Sequence, residues 1–184
     1  MTIIIGLSGS LRRASYNTAL LGTAAELAPA GCIIEIASIK DIPLYNGDVE
    51  AEQGIPKPVA ALKDRMAAAD GLLLVTPEYN NSIPGVFKNA IDWLSRPASD
   101  SGRVFGNKPV GLIGTTPGGM GTAFSQTAWL PILRTLNTRP FFGKILYISG
   151  ASKIFDAQGR LTDNELRERV RAYVEQFAAF VARP

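Results

Sequence analysis

Short, uninterrupted apolar runs, each followed by a small polar loop and then by helical spacing, constrain this chain more than any other feature. Ile3 to Leu7 is the first, Gly71 to Thr76 contains Leu72-Leu73-Leu74-Val75, and Val110 to Gly114 is another. Strands that are apolar on both faces need cover on both faces, which is the habit of parallel strands in α/β proteins. Cys32 to Ala37 and Ile145 to Ile148 add two further strand-like runs. Between them lie segments with apolar residues three and four apart, the spacing of amphipathic helices. Ser15 to Leu27 gathers Leu20, Leu21, Ala24 and Leu27 on one side. Val59 to Ala69, Pro84 to Leu94 and Ala123 to Leu136 follow, the last interrupted by Pro131, which should kink or split it. Thr162-Asp163-Asn164-Glu165 has the form of a capping box and opens a final helix carrying Leu166, Val170, Tyr173, Phe177 and Val181 inward. Asp41 to Pro58 and Arg96 to Lys108 read as loops.

Five strands alternating with five helices imply a doubly wound parallel sheet. At 184 residues the expectation is one domain spanning 1–184. The expected architecture is an α/β flavodoxin-like three-layer sandwich, a five-stranded parallel sheet of order 2-1-3-4-5 with helices on both faces. Such sheets bind ligands outside the carboxyl ends of their strands, where the order reverses between strands one and three. The loops there are the most chemically dressed in the chain.

The loop after the first strand, Gly6-Leu7-Ser8-Gly9-Ser10-Leu11-Arg12-Arg13-Ala14-Ser15-Tyr16-Asn17-Thr18, leads into a helix N-terminus. The free N–H groups of a first helical turn and the positive end of its dipole favour an anion. Ser8, Ser10, Ser15, Asn17 and Thr18 add hydroxyl and amide donors, and Arg12 a guanidinium, with Arg13 expected toward solvent. Capping by Ser15 or Asn17 explains one such residue, not all of them. A phosphate is the expected anion, and a flavin its expected carrier. The loop lacks the Gly-Lys-Ser/Thr ending of a P-loop and is not a GxGxxG fingerprint. Pro77 to Ser82 follows the third strand, where Tyr79 could lie against a ring and Asn80 offers both donor and acceptor. Thr115 to Gly121 follows the fourth and is small enough for a flat ligand to approach its backbone.

Composition removes other chemistries. The chain has no histidine and one cysteine, Cys32, so histidine-based triads, metal sites of the HExxH type and intrachain disulfides are excluded. The N-terminus enters a strand without a basic, apolar leader, which with the cysteine count favours a cytoplasmic protein. A net charge of +3 without a dense basic block gives no footprint for nucleic acid, and no run approaches a membrane span.

Gly9-Ser10-Leu11-Arg12-x-x-Ser15-x-Asn17, followed by Val75-Thr76-Pro77-Glu78-Tyr79-Asn80-x-Ser82-x-Pro84-Gly85-x-x-Lys88-Asn89-Ala90-Ile91-Asp92-Trp93, resembles the NADPH-dependent FMN reductase family, in particular its bacterial quinone, azo-dye and chromate reductase branch. The likeness extends to Leu44-Tyr45-Asn46. It implies that Ser10, Arg12, Ser15 and Asn17, with Leu11 through its backbone, bind the FMN phosphate. It implies further that Pro77, Glu78, Tyr79 and Asn80, with Ser82 nearby, cradle the isoalloxazine. Thr115, with Thr116, Gly118 and Gly119, would complete the flavin site. The implied activity is ping-pong hydride transfer from NADPH or NADH to FMN and on to quinones, azo dyes, chromate or free flavin. No catalytic side chain is needed, because the cofactor carries the chemistry. The resemblance also implies a homodimer or homotetramer with FMN near the boundary, for which the apolar stripe of helix 84–94 and the aromatic residues of helix 123–136 would serve. A flavodoxin-type electron carrier, or a non-flavin binding module on the same fold, is the alternative.

Overall fold

The computed structural model describes residues 1–183. Its strands are β1 (Thr2–Ser8), β2 (Cys32–Ala37), β3 (Gly71–Val75), β4 (Pro109–Thr115), β5 (Arg139–Pro140) and β6 (Tyr147–Ile148). The helices are α1 (Tyr16–Glu26), α2 (Gly47–Gln53), α3 (Lys57–Ala68), α4 (Gly85–Leu94), α5 (Ser101–Phe105), α6 (Ala123–Thr135), α7 (Ala151–Ile154) and α8 (Asn164–Val181). The sheet runs β2-β1-β3-β4-β5, with β6 also on β4, and every pairing is parallel. This is the expected order. Two apolar clusters lie on its two faces. Leu20, Leu21, Tyr173 and Phe177 pack with Ile4, Leu73 and Ile113 on one side. Leu62, Met66, Phe87, Ile91 and Trp93 pack with Ile5, Leu7 and Leu74 on the other. Alternate residues of β1 and β3 thus feed opposite clusters, which is why those strands read as unbroken apolar runs. Among the described residues no helix is long and apolar enough to cross a membrane.

The structure corrects several sequence expectations. The fifth strand is split. β5 pairs with the start of β4 (Pro109↔Arg139, Val110↔Pro140) and β6 with its end (Gly114↔Tyr147, Thr115↔Ile148). Between them Phe141 turns into the helical layer, its ring 5.5 Å from Tyr173 and 5.4 Å from Phe180. The Asp41–Pro58 stretch contains α2, capped by Asn46, whose side chain accepts from Asp48 N at 2.9 Å. That helix buries no residue, so no apolar periodicity marked it. It is held by Glu50 on Arg96 and by the turn before it, where Tyr45 N donates to Asn89 Oδ1 and Trp93 Nε1 to the Pro43 carbonyl. Likewise α5 and the 3₁₀ turn Ala98–Asp100 occupy the stretch expected as loop, fixed by Asp100 between Lys63 and Arg103.

Pro131 neither ends nor splits α6, which is continuous over thirteen residues. Pro131 and Thr127, whose carbonyl loses its helical partner, are both exposed, so water can satisfy that carbonyl. The last helix is capped by Asp163, which accepts from Leu166 N at 2.9 Å, and not by Thr162, whose hydroxyl donates to the Ile154 carbonyl.

Candidate functional site

Close approach of strand ends builds the site. Gly9 follows β1 and donates its N–H to the Val75 carbonyl at 2.9 Å. A Cβ there would lie 2.3 Å from the Phe87 ring, so only glycine lets this turn sit on α4. Gly114 does the same one strand pair away, where a Cβ would meet the Thr76 carbonyl at 2.0 Å. Loops after β1, β3 and β4 therefore emerge side by side. They form one cleft that joins Ser10, Arg12, Ser15 and Asn17 to Pro77, Glu78 and Tyr79 and to Thr115 and Thr116, with Tyr16 and Pro117 completing its lining. Of the other residues proposed from sequence, Leu11 is 48% exposed. Asn80 and Ser82 stand on the turn after β3, and Gly118 and Gly119 on the exposed loop after β4, outside that lining.

Each loop is shaped by local hydrogen bonds that consume several of its side chains. Ser15 is the N-cap of α1, accepting from Thr18 N at 3.2 Å, and its own hydroxyl proton remains available. Thr18 donates its hydroxyl proton to Ser8 Oγ at 3.0 Å, so this donor is already used. Asn17 is 5% exposed and turns away from an anion at the loop. Its Nδ2 donates to the Thr115 carbonyl and its Oδ1 accepts from the Thr115 N–H, both at 2.9 Å. Ser10 and Arg12 line the cleft with Tyr16 and Asn17, whose first-turn amides, as helix-start groups, have no intrahelical partner.

The turn after β3 is a two-residue hairpin. Tyr79 and Ser82 exchange both backbone hydrogen bonds, and Asn80 and Asn81 sit at φ 50° and 58°. Two consecutive left-handed residues make a type I′ turn, which asparagine tolerates better than most residues. Glu78 reaches across to the next loop, where its Oε2 accepts from Phe124 N at 2.9 Å and Ser125 N at 3.1 Å. It thereby caps α6, whose own Thr122 makes no capping bond, and its charge complements the helix dipole. Behind it, Thr76 shares a hydrogen bond with Ser125 at 2.8 Å and accepts from Trp129 Nε1 at 3.2 Å. Sequence reasoning missed this buried trio. The signal was available in Thr76, a polar residue closing a fully apolar strand.

Thr115 is the floor of the cleft. Its backbone is held by Asn17, yet its Oγ1 is buried and has no hydrogen-bond partner. A buried hydroxyl without a partner costs about 1–3 kcal/mol. The loop beyond it is fixed by Thr116 N on the Ile148 carbonyl and Ala151 N on the Thr116 carbonyl, both at 3.1 Å. The site therefore offers an anion pocket beside Arg12 and exposed residues on the loops after β3 and β4. These features fit a ligand with a phosphate at one end and a flat polar heterocycle at the other. Among the described residues no cluster of metal-ligating side chains exists.

Comparison with known proteins points the same way. Residues 2–153 match the model of the NADPH-dependent FMN reductase family. The chain is 44% identical to an NAD(P)H-dependent FMN reductase of Pseudomonas aeruginosa over 98% of its length and 95% of the relative's. It is 39% identical to a 2-hydroxy-1,4-benzoquinone reductase of a Burkholderia species, over 94% and 92% of the two chains. Among solved structures it superposes on FerB, a flavoenzyme NAD(P)H:(acceptor) oxidoreductase of Paracoccus denitrificans, with a TM-score of 0.87, 33% identity and coverage of 98% and 97%. The match covers the elements that form the cleft, and the chain belongs to the NADPH-dependent FMN reductase family.

Proposed function

We propose that this protein is an FMN-dependent NAD(P)H oxidoreductase with quinones as its principal acceptors. One observation carries the reading: the loops after β1, β3 and β4 meet in one cleft beside a helix start that carries the Arg12 guanidinium. FMN, when bound, supplies the redox chemistry, taking a hydride from the nicotinamide and returning two electrons to the acceptor. The residues of this chain hold and orient it. Arg12, Ser10, Ser15 and the amides of Tyr16 and Asn17 bind the phosphate, each charge-assisted bond contributing roughly 1.5–3 kcal/mol. Pro77 to Asn80 and the backbone of Thr115, Thr116, Gly118 and Gly119 support the ring.

The cleft is narrow, about 70 Å³. Pockets that enclose a ligand of this size run to roughly 300–1,000 Å³. A ring would therefore rest across the cleft mouth with one face toward solvent, where Tyr79 is 45% exposed. An open face admits donor and acceptor in turn, as ping-pong turnover requires. The relatives that act on quinones support that acceptor class.

The same reading includes a homodimer or homotetramer in the cytoplasm. The stripe of α4 does not support it: Phe87, Ala90, Ile91 and Leu94 are buried in this chain's own core. Of the aromatic residues of α6, Trp129 is buried too, while Phe124 is exposed. With Met120, Phe142, Ile145 and Tyr147, all exposed around the start of α6 and the β6 edge, Phe124 supports self-association.

Anaerobic mixing tests the function. FMN-loaded protein should lose its yellow absorbance on addition of NADPH or NADH and regain it on addition of a benzoquinone. Protein that stays yellow with both nicotinamides would overturn the assignment. Light scattering on the eluting protein gives the assembly state.

A further inference from the structure

A groove of about 450 Å³ runs from the 10–17 loop along α1, with residues 156–159 as its far wall. It shares Arg12, Ser15 and Tyr16 with the cleft, so the two adjoin at these residues, which form the proposed phosphate junction. Arg13 lines the groove alone. Among the described residues neither Arg12 nor Arg13 pairs with a carboxylate. The carboxylate in the far wall is already satisfied. Asp156 accepts from Gln158 N and Arg160 N and pairs with Arg160 Nε at 2.7 Å, which holds its carboxyl below the usual range. The groove therefore keeps the positive character of the two free guanidiniums. Tyr16, backed by Phe155 with ring centroids 5.8 Å apart, and the exposed amide of Gln158 supply an aromatic edge and a paired donor and acceptor. The family match ends at residue 153, so this far wall lies outside it.

A monophosphate at the junction needs one guanidinium. The next one along the loop faces the groove, where a second phosphate in series would stand. Two phosphates leading into a groove with an aromatic wall and an amide match the adenylate half of a dinucleotide. We propose that this groove is an adenylate subsite and that the protein binds flavin adenine dinucleotide as well as FMN, an inference that rests on the flavin reading above. Arg12 serves the first phosphate, Arg13 the second, and Tyr16 and Gln158 the adenosine.

Calorimetric titration of the flavin-free protein with riboflavin, FMN and flavin adenine dinucleotide tests it. The dinucleotide is expected to bind at least as tightly as FMN. Arg13→Ala should weaken the dinucleotide by about ten-fold or more while leaving FMN within about two-fold, the loss of one charge-assisted bond. Arg13→Glu, which keeps an exposed polar side chain, should deepen that loss. Dinucleotide binding about 100-fold weaker than FMN, or an Arg13→Ala loss equal for both flavins or absent for both, overturns the subsite. A raised KM for NADPH with the flavin ratio unchanged also overturns it, and gives the groove to the nicotinamide donor. If FMN itself does not bind, the flavin reading falls and the subsite with it. If FMN binds and the dinucleotide does not, the subsite alone falls.

Discussion

Asn17→Ala separates two roles that the sequence motif alone confounds. A side chain that held phosphate could be removed with little effect on the ligand-free protein. The structure gives Asn17 another task, the paired 2.9 Å hydrogen bonds to the backbone of Thr115, 98 residues away in sequence. Both residues are buried, at 5% and 1% exposure, so truncation strands the Thr115 N–H and carbonyl out of water. Each stranded group costs about 1–3 kcal/mol, and a water entering the vacated space could recover part of one. The expected loss is about 2–4 kcal/mol, a large share of the roughly 5–15 kcal/mol that stabilises a typical domain. In urea this lowers the unfolding midpoint of the flavin-free protein by about 1–2 M for slopes near 2 kcal/mol per M. Because Thr115 is the floor of the cleft, FMN and riboflavin should weaken together in titrations of the same variant. An unchanged midpoint with loss of FMN affinity alone would refute the positioning role and return Asn17 to the phosphate.

Arg12→Ala should have the converse signature, with FMN weakened about ten-fold or more and riboflavin unchanged in the same titration, since only FMN carries the phosphate. Glu78→Ala removes the cap of α6 and should cost about 1 kcal/mol by thermal melting, with Glu78→Gln losing less because its amide oxygen still accepts. Asp100 sits between Arg103 and Lys63, which hold its carboxyl well below the usual range. A folded-state pKa depressed in this way stabilises the protein above the unfolded value and is lost as the pH falls through about 4 toward the folded value. Asp100→Asn should therefore lower the urea midpoint at pH 7 and flatten its decline below pH 4, and parallel wild-type and variant curves across that range would contradict the assignment.

What was legible in the sequence was whatever has a period or a chemical cluster. Ile3–Leu7 of β1 and Leu72–Val75 of β3 are unbroken apolar runs because both faces are covered, so the place of these strands at the sheet centre was readable. The three ligand loops were readable because their polar and small residues interrupt such runs. Elements held by single long-range contacts were not. α2 has no buried face and depends on Glu50 meeting Arg96, and α5 depends on Asp100 meeting Lys63. The split of the fifth strand follows from where Phe141 finds aromatic partners in α8, which no local pattern encodes. In the site, residue identity was legible and orientation was not. Asn17 and Glu78 fall at the loops that line the cleft, yet their side chains point along the protein, toward Thr115 and α6.

That division has a physical basis. On the reading proposed above, a cofactor across the open cleft would be positioned by backbone groups, and backbone at three loop ends has no fixed spacing of its own. Here each gap between loops is bridged by one buried or capped side chain: Asn17 from the β1 loop to the end of β4, and Glu78 from the β3 turn to α6. Thr76, Ser125 and Trp129 lock the second bridge from beneath. Beside the first bridge the Thr115 hydroxyl is buried without a hydrogen-bond partner. A buried hydroxyl left without a partner costs the ligand-free chain about 1–3 kcal/mol.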